Sequence, residues 1–107
     1  MFRVALLASV ILSAADARAD APIKPVRLGL CTACHGENGI GITIGTPHLA
    51  GQDERYLIDA LGQYRSGERT AAPMRAAVGA LSANDIDALA RWYSAQPRCT
   101  STEGVAR

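Results

Sequence analysis

Apolar residues fall into three regimes along the chain. Residues 4–15 are apolar or small, broken only by Ser9 and Ser13. Residues 36–51 lose regular patterning under a crowd of glycines, and two later stretches repeat apolar positions at helical spacing. Between 53 and 66, Tyr56, Leu57, Ala60, Leu61 and Tyr64 form one stripe on a 3.6-residue period. Asp53 and Glu54 suit the positive N-terminal end of that helix, and Gly67 supplies its stop. A second helix begins at Ser82, which with Asp85 makes a capping box in which aspartate replaces the usual glutamate. Ile86, Leu89, Ala90 and Tyr93 carry its apolar face, and Pro97 ends it. A shorter helix is expected from about Val26 into Cys31 and Cys34, and another over residues 76–81. No stretch alternates with period two and no repeat is visible, so the expected fold is all-α with three or four helices.

Gly36, Gly39, Gly41, Gly45, Gly51 and Pro47 crowd into residues 36–51, which read as loop. A loop this long is uncommon in a compact domain unless it wraps something.

The first regime is a targeting segment rather than part of the fold. Arg3 supplies a positive start, and Ala17-Arg18-Ala19 supplies the small-x-small pattern that signal peptidase accepts. The apolar run is too short for a bilayer span, which needs about 20 residues. An uncleaved anchor is the plainer alternative. Cleavage is expected after Ala19, with Ala15 or Ala21 as neighbouring sites, and export to a bacterial periplasm follows. Residues 20–107 then form a single domain, with its core at about 26–97 and a polar tail over 98–107.

Of the 107 residues, 49% are hydrophobic and 20% charged, which predicts a packed core. The formal net charge of +1 falls to zero once Arg3, Asp16 and Arg18 leave, so nucleic acid is not an expected partner. Aromatic residues are only 5%, a thin supply of large side chains. A domain of this size commonly needs a staple or a cofactor.

Cys31-Thr32-Ala33-Cys34-His35 supplies it, matching the C-x-x-C-H pattern of covalent haem attachment. On one helical turn the two thiols face the same way and can each add to one porphyrin vinyl group. The imidazole of His35 can reach the iron from that side. Three readings compete. A dithiol redox motif would want a βαβ setting that the pattern lacks. A zinc site would need a second ligand pair, and only Cys99 and His48 remain. The third is a chance match with a plain disulfide.

The chain resembles the class I c-type cytochromes, especially their small bacterial periplasmic branch, and is similar to one domain of the tandem dihaem cytochromes c. The resemblance runs from about Leu30 to Gln96. It rests on the motif with Gly36, on Pro47-His48-Leu49-Ala50-Gly51-Gln52, on Tyr56-Leu57, on Arg69-Thr70 ahead of Met74, and on Leu81-Ser82 with Asp85-Ile86. It implies a cytochrome c fold around one covalent haem c, with Pro47 offering its carbonyl to the second nitrogen of the haem histidine. It also places a methionine ligand near Met74. Independently, a low-spin electron carrier needs a second strong axial ligand, and Met74 is the one methionine left after the leader. The plainer reading is that Met74 fills core space.

His48, beside Pro47, reads as a loop histidine and not a ligand. Cys99 is left over in the tail, as a free thiol or as a link to a partner. Leu49, Leu57, Leu61, Val78, Leu81, Ile86, Leu89 and Tyr93 are expected to line the haem or the crossing of the first and last helices. Pro25, only six residues before Cys31, starts the first helix late and departs from the usual form of that crossing. Trp92 is expected on the crossing or half exposed. Arg65, Arg69 and Arg75 flank the ligand loop and are candidates to pair with haem propionates, solvated charge being the plainer reading.

The functional expectation is a periplasmic one-electron carrier with His35 and Met74 as axial ligands. It has no turnover chemistry of its own and no small-molecule substrate. Its expected partners are periplasmic or membrane-bound redox proteins. The alternative is a haem c electron-outlet subunit of a periplasmic dehydrogenase.

Overall fold

The computed structural model describes residues 21–98. Residues 1–19, expected to be a cleaved leader, Cys99 and most of the tail over 98–107 lie outside the described residues. Within them are four helices and no strand: α1 (Gly29–His35), α2 (Glu54–Ser66), α3 (Ala72–Val78) and α4 (Ala83–Ser94). The all-α expectation holds, with four helices.

Local chemistry sets the ends of the two longer helices. The Asp53 carboxylate caps α2 by accepting the Tyr56 N–H at 2.8 Å, and Gly67 closes it in the left-handed conformation at φ 90°. Ser82 and Asp85 cap α4 reciprocally. The Asp85 N–H donates to Ser82 Oγ at 3.1 Å, and the Ser82 N–H donates to Asp85 Oδ2 at 3.0 Å.

Two boundaries differ from expectation. The first helix starts at Gly29 rather than near Val26. Residues 26–28 form a turn in which the Leu28 N–H donates to the Pro25 carbonyl at 3.2 Å. The third helix runs Ala72–Val78, starting four residues and ending three residues ahead of the 76–81 expectation. Pro73 causes the difference. Its fixed φ suits the first turn of a helix and its missing N–H costs nothing there, so it opens the helix instead of preceding it.

The core forms where α2 packs on α4 and on α3. Leu57 from α2, Val78 and Leu81 from α3 and its exit, and Ile86, Leu89, Ala90 and Tyr93 from α4 are all buried. Leu49 and Leu61 are half-buried against them. Leu28 completes the cluster at 1% exposure, although it lies outside any helical stripe. The main partner of α4 is thus α2. The short α1 segment reaches α4 through polar bonds just past its end. Tyr93 Oη donates to the Gly36 carbonyl at 3.0 Å, and half-buried Trp92 donates from Nε1 to the Glu37 carbonyl at 2.8 Å.

Candidate functional site

One cleft of about 480 Å3 opens between these elements. Its lining includes Cys31, Cys34 and His35 from α1, Pro47 from the long loop and Met74 from α3. All five residues singled out in the sequence border the same space. The rest of the lining is chiefly apolar, with Leu57, Leu61, Val78, Leu81 and Leu89 among it. Its size lies within the usual range for cofactor sites, about 300–1,000 Å3.

The geometry of His35 is the most informative feature. The ring is buried, and Nδ1 lies 2.9 Å from the Pro47 carbonyl oxygen. A carbonyl only accepts, so Nδ1 carries a hydrogen, and in the neutral ring the lone pair then lies on Nε2, the form in which imidazole binds a metal. The loop is folded to make this contact. Ile42 donates its N–H to the Cys34 carbonyl at 2.9 Å, and Leu49 and Ala50 donate theirs to the Gly39 carbonyl at 2.7 and 3.1 Å. Glycine is required at 39, where φ is 76° and an added Cβ would stand 2.6 Å from the Ala50 nitrogen.

Cys31 and Cys34 are three residues apart on α1, the first half-buried and the second exposed. Burial pushes the Cys31 thiol up from its usual range, and burial likewise pushes up the phenol of Tyr93. Both side chains are therefore neutral walls of the cleft. Two thiols on one turn, one imidazole with an available nitrogen, one thioether and apolar walls are a donor set that fits haem c.

Of the three candidate arginines, Arg69 alone lines the cleft. Its Nε donates to Gln63 Oε1 at 2.8 Å, and its guanidinium carbon lies 5.8 Å from the Tyr56 ring centroid and 5.6 Å from that of Tyr64. Arg65 turns away and donates to the Leu81 carbonyl at 3.4 Å. The two tyrosines were legible only as members of an apolar stripe. That they flank an arginine at the cleft depends on where the segment after Gly67 returns. His48 is exposed on the loop, as expected, but borders the cleft and accepts the Gly41 N–H at Nδ1, at 2.7 Å.

Comparison with known proteins identifies the family. The family model described as cytochrome c matches residues 28–94. Cytochrome c-554(548) of Halomonas halodenitrificans is 39% identical over 80 residues, 72% of this chain and 96% of that protein. Cytochrome c4 of Pseudomonas aeruginosa is 34% identical over 77% of this chain, which spans 41% of that longer protein. A protein named thiosulfate dehydrogenase electron acceptor, from Thiomonas intermedia, is 42% identical over 65% of this chain, which spans 33% of it. With the match covering the attachment helix, the loop, the methionine helix and the last helix, the chain belongs to the cytochrome c family and is an electron-transfer protein carrying covalent haem c.

Proposed function

We propose that this protein is a periplasmic one-electron carrier whose haem is held by thioether bonds to Cys31 and Cys34, with His35 and Met74 as axial iron ligands. The observation that carries the reading is the His35 ring. Its Nδ1–H is spent on Pro47, which leaves Nε2 for the iron in a cleft that Met74 also borders. When bound, the haem supplies a single reversible electron. The chain's own residues orient the imidazole, supply the thioether and exclude water with apolar walls. With His35 and Met74 both bound to the iron, no coordination site would be left for oxygen, peroxide or substrate, and the protein would have no turnover chemistry of its own. Residues 1–19 serve as its export signal. Among the described residues no helix is long and apolar enough to cross a membrane.

Exposed Ile42 and Ile44 stand on the loop segment tied to Cys34, and Leu30 is half exposed on α1. An apolar rim of this kind suits brief contact with a redox protein, which is the partner class proposed here. The relatives named as thiosulfate dehydrogenase electron acceptors favour a second reading, in which the protein serves a periplasmic dehydrogenase as its electron outlet.

The test is spectroscopic and hydrodynamic. The exported protein should have the mass of residues 20–107 plus one haem that resists acid-acetone extraction. It should bind carbon monoxide slowly or not at all. Rapid carbon monoxide binding or substantial peroxidase turnover by the undamaged protein contradicts six-coordination. Size-exclusion chromatography of a periplasmic extract separates the two partner readings: a free carrier elutes small, whereas a subunit elutes with its enzyme.

A further inference from the structure

Pro47 has no N–H, so the peptide that presents its carbonyl to His35 cannot be anchored through its own nitrogen. The backbone ties on either side are Thr46 N–H to the Thr43 carbonyl at 3.0 Å and Leu49 N–H to the Gly39 carbonyl at 2.7 Å. Between them a side chain bridges the two arms of the loop. The buried Gly41 donates its N–H to His48 Nδ1 at 2.7 Å. A buried backbone N–H needs an acceptor, and the ring of His48 provides it.

The other arm is fixed to the haem-attachment helix. Ile42, next to Gly41, donates to the Cys34 carbonyl at 2.9 Å. A Cβ on Gly41 would collide with the Thr46 carbonyl oxygen and stand 3.4 Å from that of Pro47. The backbone at 41 therefore lies directly against the peptides that aim the Pro47 carbonyl. His48 closes a chain of contacts from α1 through Ile42 and Gly41 to Pro47, and back to His35 on α1.

We propose that His48 is a positioning residue for the iron ligand: by accepting from Gly41 it holds the Pro47 carbonyl on His35 Nδ1 and so sets the donor strength of that imidazole. The proposal rests on the reading of His35 as an axial ligand. A firm hydrogen bond from Nδ1–H to a carbonyl raises the basicity of the opposite nitrogen. More donation favours ferric iron, so a slackened bond should move the reduction potential in the positive direction.

The experiment compares His48→Ala with His48→Asn in the exported, haem-loaded protein. Asparagine places a carbonyl oxygen at the same bond distance from Cβ as the imidazole Nδ1, so it can accept from Gly41. Two readouts are taken: the reduction potential by spectroelectrochemistry, and hydrogen exchange of the His35 ring N–H in the ferrous protein by NMR. The alanine variant should shift the potential positive and speed exchange by roughly tenfold, the scale of one lost hydrogen bond. The asparagine variant should stay near wild type in both. If the alanine variant does not mature, His48→Gln replaces it with the same expectation, because its carbonyl sits one bond farther out.

An unchanged potential in His48→Ala, or equal shifts in the alanine and asparagine variants, overturns the role of His48. A haem-loaded His35→Ala protein that keeps the wild-type spectrum overturns the ligand assignment itself, a separate result.

Discussion

Replacing Gly39 by alanine tests whether the loop's close approach, and not merely its turns, holds the site together. Gly39 has φ 76°, where an L side chain costs about 1–2 kcal/mol. The added Cβ would also stand 2.6 Å from the Ala50 nitrogen and 2.9 Å from Tyr93 Cδ1. Neither neighbour yields easily, since Ala50 is backbone and Tyr93 is buried with its hydroxyl bonded to Gly36. Overpacking of this kind costs about 1–3 kcal/mol more, for a total of about 2–5 kcal/mol. Gly45 provides an internal control: its φ is 82°, yet no protein atom lies within 4 Å of its added Cβ. Gly45→Ala should therefore cost only the backbone part, about 1–2 kcal/mol. The assay is guanidinium unfolding of the ferric holoprotein, with m-values compared to confirm that the same transition is measured. Losses for the two variants that agree within about 0.5 kcal/mol would refute the steric argument.

Three further outcomes follow from particular contacts. Leu89 is 1% exposed and lies in both the core and the cleft lining, so Leu89→Ala should cost about 2–5 kcal/mol in the same unfolding assay. Met74→Ala should lower the reduction potential and admit carbon monoxide while leaving the haem attached, and an unchanged optical spectrum would exclude Met74 as a ligand. The carboxyl of Asp85 is held below the usual aspartate range, chiefly by the Ser82 backbone N–H and then by the Ser82 hydroxyl. Its contribution is therefore complete above the unfolded-state value and is lost as pH falls through the lower folded-state value. The stability gap between wild type and Asp85→Asn should narrow on acidification, and a constant gap would show that the capping carboxylate does not titrate as argued.

The chemistry of the site could be read from the chain because it is local. Cys31, Cys34 and His35 lie within five consecutive residues, so one turn of helix is enough to group them. The helix carrying Ile86, Leu89, Ala90 and Tyr93 was equally legible, because its cap and its apolar period are both sequence-local. Pairing across long separations was not. The 2.9 Å contact of His35 with Pro47 was implied by resemblance, but its geometry depends on a loop held by Ile42 on Cys34 and by His48 on Gly41. The burial of Leu28 follows from a turn at Pro25 that breaks helical periodicity, so no stripe could announce it. Pro73 carries two meanings in a sequence, breaker or helix opener, and only the packing of α3 on α2 selected the second. Arg69 shows the same division. Its charge and its place before Met74 were visible in the chain, but its seat beside Tyr56 and Tyr64 required α2 to present both rings where the following segment turns back. Residue type and spacing determine what a segment can do chemically, whereas loop closure and packing decide which distant segments meet, because those contacts form only after the entropy of bringing them together has been overcome.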